Sequence, residues 1–167
     1  MSDLEFTGER FVPGKSPGQI ESEHLARYIF ALNFIKGKKA LDLGCGEGYG
    51  SKMLAGRAES AVGVDIDDKA IAHAVENYQA DNLKFISSDV CDLPFGDDEF
   101  DVVVSFEVIE HILNPKRMLE EIARVLKPNG VLLLSTPNGA VKIASVPNPF
   151  HIKEFNRDEL ESLIRTE

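Results

Sequence analysis

Residues 40–50 read Ala-Leu-Asp-Leu-Gly-Cys-Gly-Glu-Gly-Tyr-Gly, and no other segment constrains the fold as strongly. A short apolar run enters a turn with glycine at positions 44, 46, 48 and 50. Such a turn can take positive φ repeatedly and can bring bare backbone against a ligand. Set between a strand and a helix, it points to α/β folds that bind ligands beyond the carboxyl ends of their strands. The spacing departs from a dinucleotide fingerprint, G-x-G-x-x-G. Gly44 and Gly46 fit it, but Tyr49 stands where the third glycine belongs. Asp42 in the strand and Glu47 in the turn add two carboxylates. Together they would repel a pyrophosphate and favour a cationic ligand.

The 167 residues are 43% hydrophobic and 28% charged, which suits one globular domain with its own core. Net charge is −10, so non-specific nucleic-acid binding is disfavoured. Cys45 and Cys91 are too few and too far apart for a disulfide scaffold or a zinc site. No run approaches the ~18 apolar residues of a membrane span. Met1-Ser2-Asp3-Leu4-Glu5 lacks the basic-then-apolar pattern of a secretory signal. The expectation is a cytoplasmic protein without a membrane partner.

Glycines and prolines make residues 1–19 read as an irregular arm. Leu25, Tyr28, Ile29, Leu32 and Ile35 recur at helical spacing over 21–35, and Gly37 ends that helix. Nearly continuous apolar runs predict strands at 40–43, 61–64, 83–86, 102–106 and 131–135. Helices are expected near 49–57, 68–79 and 115–126. Asn114-Pro115 should start the last of these and Lys127-Pro128-Asn129-Gly130 should stop it. Asn156 and Glu159 resemble a capping box opening a final helix. The alternation implies a doubly wound parallel sheet with right-handed crossovers.

The glycine segment resembles motif I of the class I S-adenosylmethionine-dependent methyltransferases, and the chain as a whole resembles their type 11 and ubiquinone-pathway O-methyltransferase members. S-adenosylmethionine carries a sulfonium and an ammonium and no phosphate, which agrees with the acids at 42 and 47. The resemblance implies a Rossmann-like α/β fold, mostly parallel, with strand order 3-2-1-4-5. The family's closing antiparallel pair is expected to be missing, leaving residues 38–167 as a C-terminally incomplete core behind an arm and lid helix at 1–37, all within one domain. An open edge on the fifth strand would invite a homodimer. Thr7–Phe11 and Glu23–Tyr28 resemble the leader of bacterial methyltransferases found with glycan-building enzymes, as a lid over the cofactor or as a helix covering the sheet.

The cofactor should rest on Gly44, Cys45, Gly46 and Gly48. Asp65 lies about 20 residues on, where a carboxylate can accept both ribose hydroxyls. Its alternative use is to cap the next helix, for which Asp67 is better placed. Ile66 should cover the adenine. Asp89 should take the adenine amino group and Val90 should contribute backbone, although Asp89 could also be only a turn residue. Phe106 and Glu107 should flank the methionine portion, and Asp42 should attract the ammonium, directly or through water.

Methyl transfer needs a base only where the acceptor must lose a proton. His111 and His151 are the candidates, with Glu110 behind them. If Glu107-Val108-Ile109-Glu110-His111 were helical, its two acids and imidazole would share a face, and His151 could join them. Glu107, Glu110, His111 and His151 would then suit a divalent metal. A similar run occurs in metal-using small-RNA 3′-end 2′-O-methyltransferases and in relatives without a metal, and the metal-free reading is preferred. His24 and His73 read as ordinary. The expected activity is methyl transfer to a small-molecule or glycan-type acceptor, at oxygen. The rivals are a metal-assisted RNA 2′-O-methyltransferase, a cofactor-binding fragment without activity, and a nicotinamide dehydrogenase, which Tyr49 and Asp42 oppose.

Overall fold

The computed structural model describes residues 18–141 and 148–165. The arm over 1–17, with Thr7–Phe11, and the centre of the 137–150 loop lie outside the described residues. Helix α1 (Gly18–Ile35) precedes β1 (Lys39–Leu43), α2 (Tyr49–Ala55), β2 (Ser60–Asp65), α3 (Asp68–Asn77), β3 (Leu83–Ser87) and β4 (Phe100–Phe106). A single 3₁₀ turn (Ile109–His111), α4 (Pro115–Val125), β5 (Leu126–Ser135) and α5 (Arg157–Ile164) follow. The five strands pair in parallel in the order β3-β2-β1-β4-β5, as the family resemblance implies.

The inner strands β1, β2 and β4 are covered on both faces, so they offer two cores at a period of two. Leu41, Leu43, Val64 and Val103 point to one side, where Met118, Leu119, Ile122 and Val125 of α4 close over them. Leu160 and Leu163 of α5 pack against the same cluster. Ala40, Ala61, Val102 and Val104 point to the other side, under Tyr28, Ala31 and Ile35 of α1 and Leu54 of α2. Full burial of each large side chain of α4 is worth ~1.5–3 kcal/mol, which far exceeds the intrinsic preference of an 11-residue helix.

Local signals place most ends. Asn114 accepts from the Arg117 amide ahead of Pro115, and Asn156 with Glu159 completes a capping box. Three expectations differ. On α1, Ala31 is fully buried while Ile29 is 58% exposed, so the buried stripe runs Tyr28–Ala31–Ile35. Helix α4 ends at Val125, and Lys127–Gly130 belong to β5. Pairing of Leu126 with Phe100 draws these residues into the sheet, across a register irregularity between Phe100 and Val102, and Asn129 takes φ 65° there. Glu107–His111 is no helix face: Glu107 has φ 57° and only one 3₁₀ turn follows.

Gly50 on α2 lies flat against the Tyr28 ring, and a Cβ there would collide with it. Gly50→Ala should therefore destabilise the fold by ~1–3 kcal/mol, read as a lower urea midpoint with an unchanged slope.

Candidate functional site

Beyond the carboxyl ends of the strands lies a cavity of about 570 Å³. Gly44 and Gly46 floor it; Asp65, Ile66, Asp89 and Val90 line one side; Glu107, Val108, His111, Ile112 and Phe150 line the other.

The turn is shaped by left-handed backbone at Gly44 (φ 68°), Gly46 (φ 55°) and Gly48 (φ 96°). A side chain at Gly44 would run into Val108, and one at Gly48 would come within 2.7 Å of Ala74 Cβ. The Gly46 amide donates to Asp65 Oδ2 at 2.8 Å and the Asp67 amide to Oδ1 at 2.9 Å. Asp65 is thereby held rigid, and each oxygen keeps a further lone pair for a ligand. Asp67 caps α3 by accepting from the Lys69 amide. Ile66 is 72% exposed on the rim, an apolar plate without a protein cover. Asp89 accepts from the Cys91 amide and remains exposed beside buried Val90.

Four expected residues do not reach this cavity. Asp42 is fully buried below the turn, taking Ser51 Oγ–H at 2.6 Å and Tyr28 O–H at 3.1 Å. Burial pushes its pKa up to about 7, against the lowering effect of these two hydroxyls. It shapes the floor from behind. Cys45 is buried, its amide bonded to the Val64 carbonyl, and burial raises its thiol pKa well above the usual value. Gly48 turns to α3, and Phe106 packs edge-on against Tyr28. Glu47 also faces away: both its oxygens accept from Tyr78 O–H at 3.0 Å, and His73 Nδ1 lies 3.6 Å off. Its charge therefore acts on α3 rather than on a ligand.

Glu107 occupies the wall, where Oε1 accepts from Ser135 Oγ at 2.7 Å and meets Arg27 Nη2 at 3.2 Å. An ion pair at this partial exposure is worth ~0–1 kcal/mol. Glu110 is fully buried; Oε2 accepts from Thr136 Oγ1 at 2.9 Å, Oε1 has no hydrogen-bond partner among the described residues, and burial raises its pKa. Its carbonyl accepts from the Ile152 and Lys153 amides, which hangs the 148–155 segment beside the cavity. His111 Nδ1 stands 3.1 Å from the Phe150 carbonyl. His151 Nε2 faces the Asn148 amide at 3.1 Å, and its Nδ1 faces Glu154 Oε1 at 3.0 Å. The two rings meet edge-to-face with centroids 5.0 Å apart. Glu110, His111 and His151 each offer a ligand atom within 4.8 Å of the others, without Glu107. Sequence reasoning did not find Val108, Ile112 and Phe150 in the wall, nor Tyr28 beneath it. Tyr28 carried a signal as part of the apolar stripe of α1, but its partner Asp42 did not show in the spacing.

The chain matches the methyltransferase-domain family over residues 41–134. It is 37% identical, over 99% of its length, to an S-adenosylmethionine-dependent methyltransferase of Mycolicibacterium smegmatis. The chain belongs to the S-adenosylmethionine-dependent methyltransferases. It spans 65% of that relative's length. It is also 33% identical to a ubiquinone biosynthesis O-methyltransferase of Coxiella burnetii, over 67% of this chain and 49% of the relative. Among solved structures, the [4+2]-cyclase SpnF shares the fold at a TM-score of 0.75 and 22% identity, covering 93% of this chain and 60% of SpnF. A cyclase on this scaffold shows that the fold alone does not dictate the reaction.

The family's cofactor fits what the cavity offers. A rigid carboxylate stands at the end of β2, an apolar plate beside it, and a glycine floor that a side chain would fill. Among the described residues no helix is long and apolar enough to cross a membrane.

Asp42 gives a pH signature. Its native pKa of about 7 lies above the ordinary carboxylate value of 3.8. Its contribution to stability is thus fully present below pH 4 and is lost as pH rises towards 7. Across that window wild-type stability should fall by about 1.4 kcal/mol per pH unit relative to Asp42→Asn, in urea titrations run at stepped pH.

Proposed function

We propose that this methyltransferase delivers its methyl group to a hydroxyl oxygen of a small-molecule or sugar-like acceptor, in the cytoplasm, with His111 as the base. The observation that carries the reading is the contact behind the ring. A carbonyl oxygen can only accept, so the Phe150 carbonyl fixes the proton on His111 Nδ1 and makes Nε2 the basic nitrogen. His111 also lines the cavity. His151 is less suited, because a carboxylate and an amide engage its two ring nitrogens; it supports the ring of His111 from the side.

S-adenosylmethionine supplies a methyl carbon already activated by its sulfonium. The protein's share is alignment, exclusion of water and removal of one proton. Asp65 holds the ribose, Ile66 covers the base, and Asp89 with Val90 reads its edge. Val108, Ile112 and Phe150 keep the acceptor side apolar. The name of the Coxiella relative supports oxygen as the methylated atom, and the free cysteines agree with a reducing compartment.

Titration calorimetry with S-adenosylhomocysteine tests the cofactor site. One saturable site is expected, and Asp65→Ala should weaken it at least ~10-fold; unchanged affinity would remove Asp65 from the site. With a hydroxylated acceptor in hand, His111→Gln should slow transfer ~100-fold or more and His151→Gln far less. The opposite ranking would reassign the base.

One observation favours a second reading, a metal-assisted RNA 2′-O-methyltransferase. The Glu110–His111–His151 group could ligate a cation through one carboxylate and two imidazoles. The engaged nitrogens of His151 and the net charge of −10 weigh against it. Methyl transfer unchanged in excess chelator would dismiss it. S-adenosylhomocysteine binding without turnover, with turnover present in a longer chain, would instead identify these residues as a cofactor-binding part of the enzyme.

A further inference from the structure

Residues 88–99 join β3 to β4, and none of them lies in a helix or a strand. This connection carries Asp89 and Val90 to the cavity. Without a ladder of its own it has to be held by other groups, because its main-chain donors and acceptors need partners. Its entrance is tied to β2, where the Ser88 amide donates to the Asp65 carbonyl at 3.0 Å. A tight turn follows. The Cys91 amide donates to Asp89 Oδ1 at 2.8 Å, and the Asp92 amide to the Asp89 carbonyl at 3.0 Å.

The exit of the turn is held from α4. Glu121 and Arg124 stand three residues apart on one face of that helix. Glu121 Oε2 accepts from the Leu93 amide at 2.9 Å. Arg124 Nη2 donates to the Leu93 carbonyl at 3.1 Å, and Nη1 to the Phe95 carbonyl at 2.7 Å. The two side chains also bind each other twice, Nε to Oε1 at 2.9 Å and Nη2 to Oε2 at 2.7 Å. Glu121 is buried, and the hydrogen bonds from Arg124 lower its pKa to about 2, so it stays ionised. An ion pair withdrawn from water is no general source of stability, and apolar side chains of similar volume often serve as well. Apolar side chains could not engage three main-chain groups of the connection. Neither Glu121 nor Arg124 is among the residues that line the cavity.

We propose that Glu121 and Arg124 are positioning residues for the base end of the cofactor: by fixing both main-chain groups of Leu93 they hold the turn that presents Asp89, and so set the preference for an amino group on the base. A guanidinium is a planar fork of donors, which is what allows one side chain to reach two carbonyls and a carboxylate together. Helix α4, whose apolar face closes the core, thus takes part in choosing the ligand without touching it. The proposal rests on the reading in which Asp89 takes the adenine amino group.

The test compares two ligands on the whole chain by calorimetry. S-inosylhomocysteine differs from S-adenosylhomocysteine by an oxo group in place of the amino group. Wild type should prefer S-adenosylhomocysteine at least ~10-fold. Arg124→Met should weaken S-adenosylhomocysteine ~10-fold and leave S-inosylhomocysteine within about two-fold, so that the preference collapses. Arg124→Lys, which keeps a cation beside Glu121, should fall between, and it carries the same comparison should the methionine variant fail to fold. Asp89→Ala should remove the preference too, and adding Arg124→Met to it should change S-adenosylhomocysteine affinity less than about two-fold, because the two act through one contact. Equal weakening of both ligands, losses that add in the double variant, or an unchanged preference would each overturn the positioning role. A wild-type chain that binds both ligands equally would instead overturn the role of Asp89, and one that binds neither would overturn the cofactor site itself.

Discussion

The architecture around the site depends on one buried carboxylate. Asp42 comes from the central strand β1, and its two oxygens gather Tyr28 from α1 and Ser51 from α2. Two helices are thereby fixed to the strand that launches the glycine turn. The Tyr28 ring then fills the space between Tyr49 and Phe106, in edge-on contacts of 5.2 and 5.3 Å. Gly50 permits this only because it has no side chain. A buried acid with so few donors is expensive to ionise, and the elevated pKa of Asp42 expresses that expense. What the fold gains is a turn whose floor has a single arrangement.

A second carboxylate repeats the logic at the ligand's side of the turn. Asp65 joins the glycine turn to the start of α3 through two backbone amides. Glu47 does the same from within the turn, reaching Tyr78 at the far end of α3. The turn is thus braced on both flanks by the protein's own groups, which favours a preformed site. Preformed sites bind without the cost of ordering a loop.

Much of this was legible in the sequence, for identifiable reasons. Apolar runs marked the five strands because the inner ones are buried on both faces and the outer two still pack apolar side chains on the core, and the capping residues Asn114 and Asn156 marked helix starts by local chemistry. The place of Asp65 at the cavity was legible because its spacing from the turn follows from one strand–helix–strand unit. Asp42 was misplaced because alternation along β1 does not say whether a polar residue faces solvent, ligand or a hydroxyl hidden beneath. The run from Glu107 to His111 misled through its i, i+3, i+4 spacing, which presumes a helix; the left-handed residue at its start is invisible to periodicity. Lys127–Gly130 looked like a stop because proline and glycine usually punctuate, whereas pairing with β4 drew them into a strand. Phe150 and its carbonyl could not be foreseen, since they reach the cavity only by the folding back of a distant segment.

That folding back has an evolutionary corollary. The proton on the His111 ring is positioned by the main chain at residue 150 and not by its side chain. The side chain at this position, 54% exposed at the cavity wall, is therefore released from the task of setting the tautomer. Descendants of this chain can exchange Phe150 for residues of other size and polarity while the imidazole keeps its orientation. In the proposed reaction, acceptor preference and proton chemistry thus rest on separate atoms of one residue, and a change in the first leaves the second untouched.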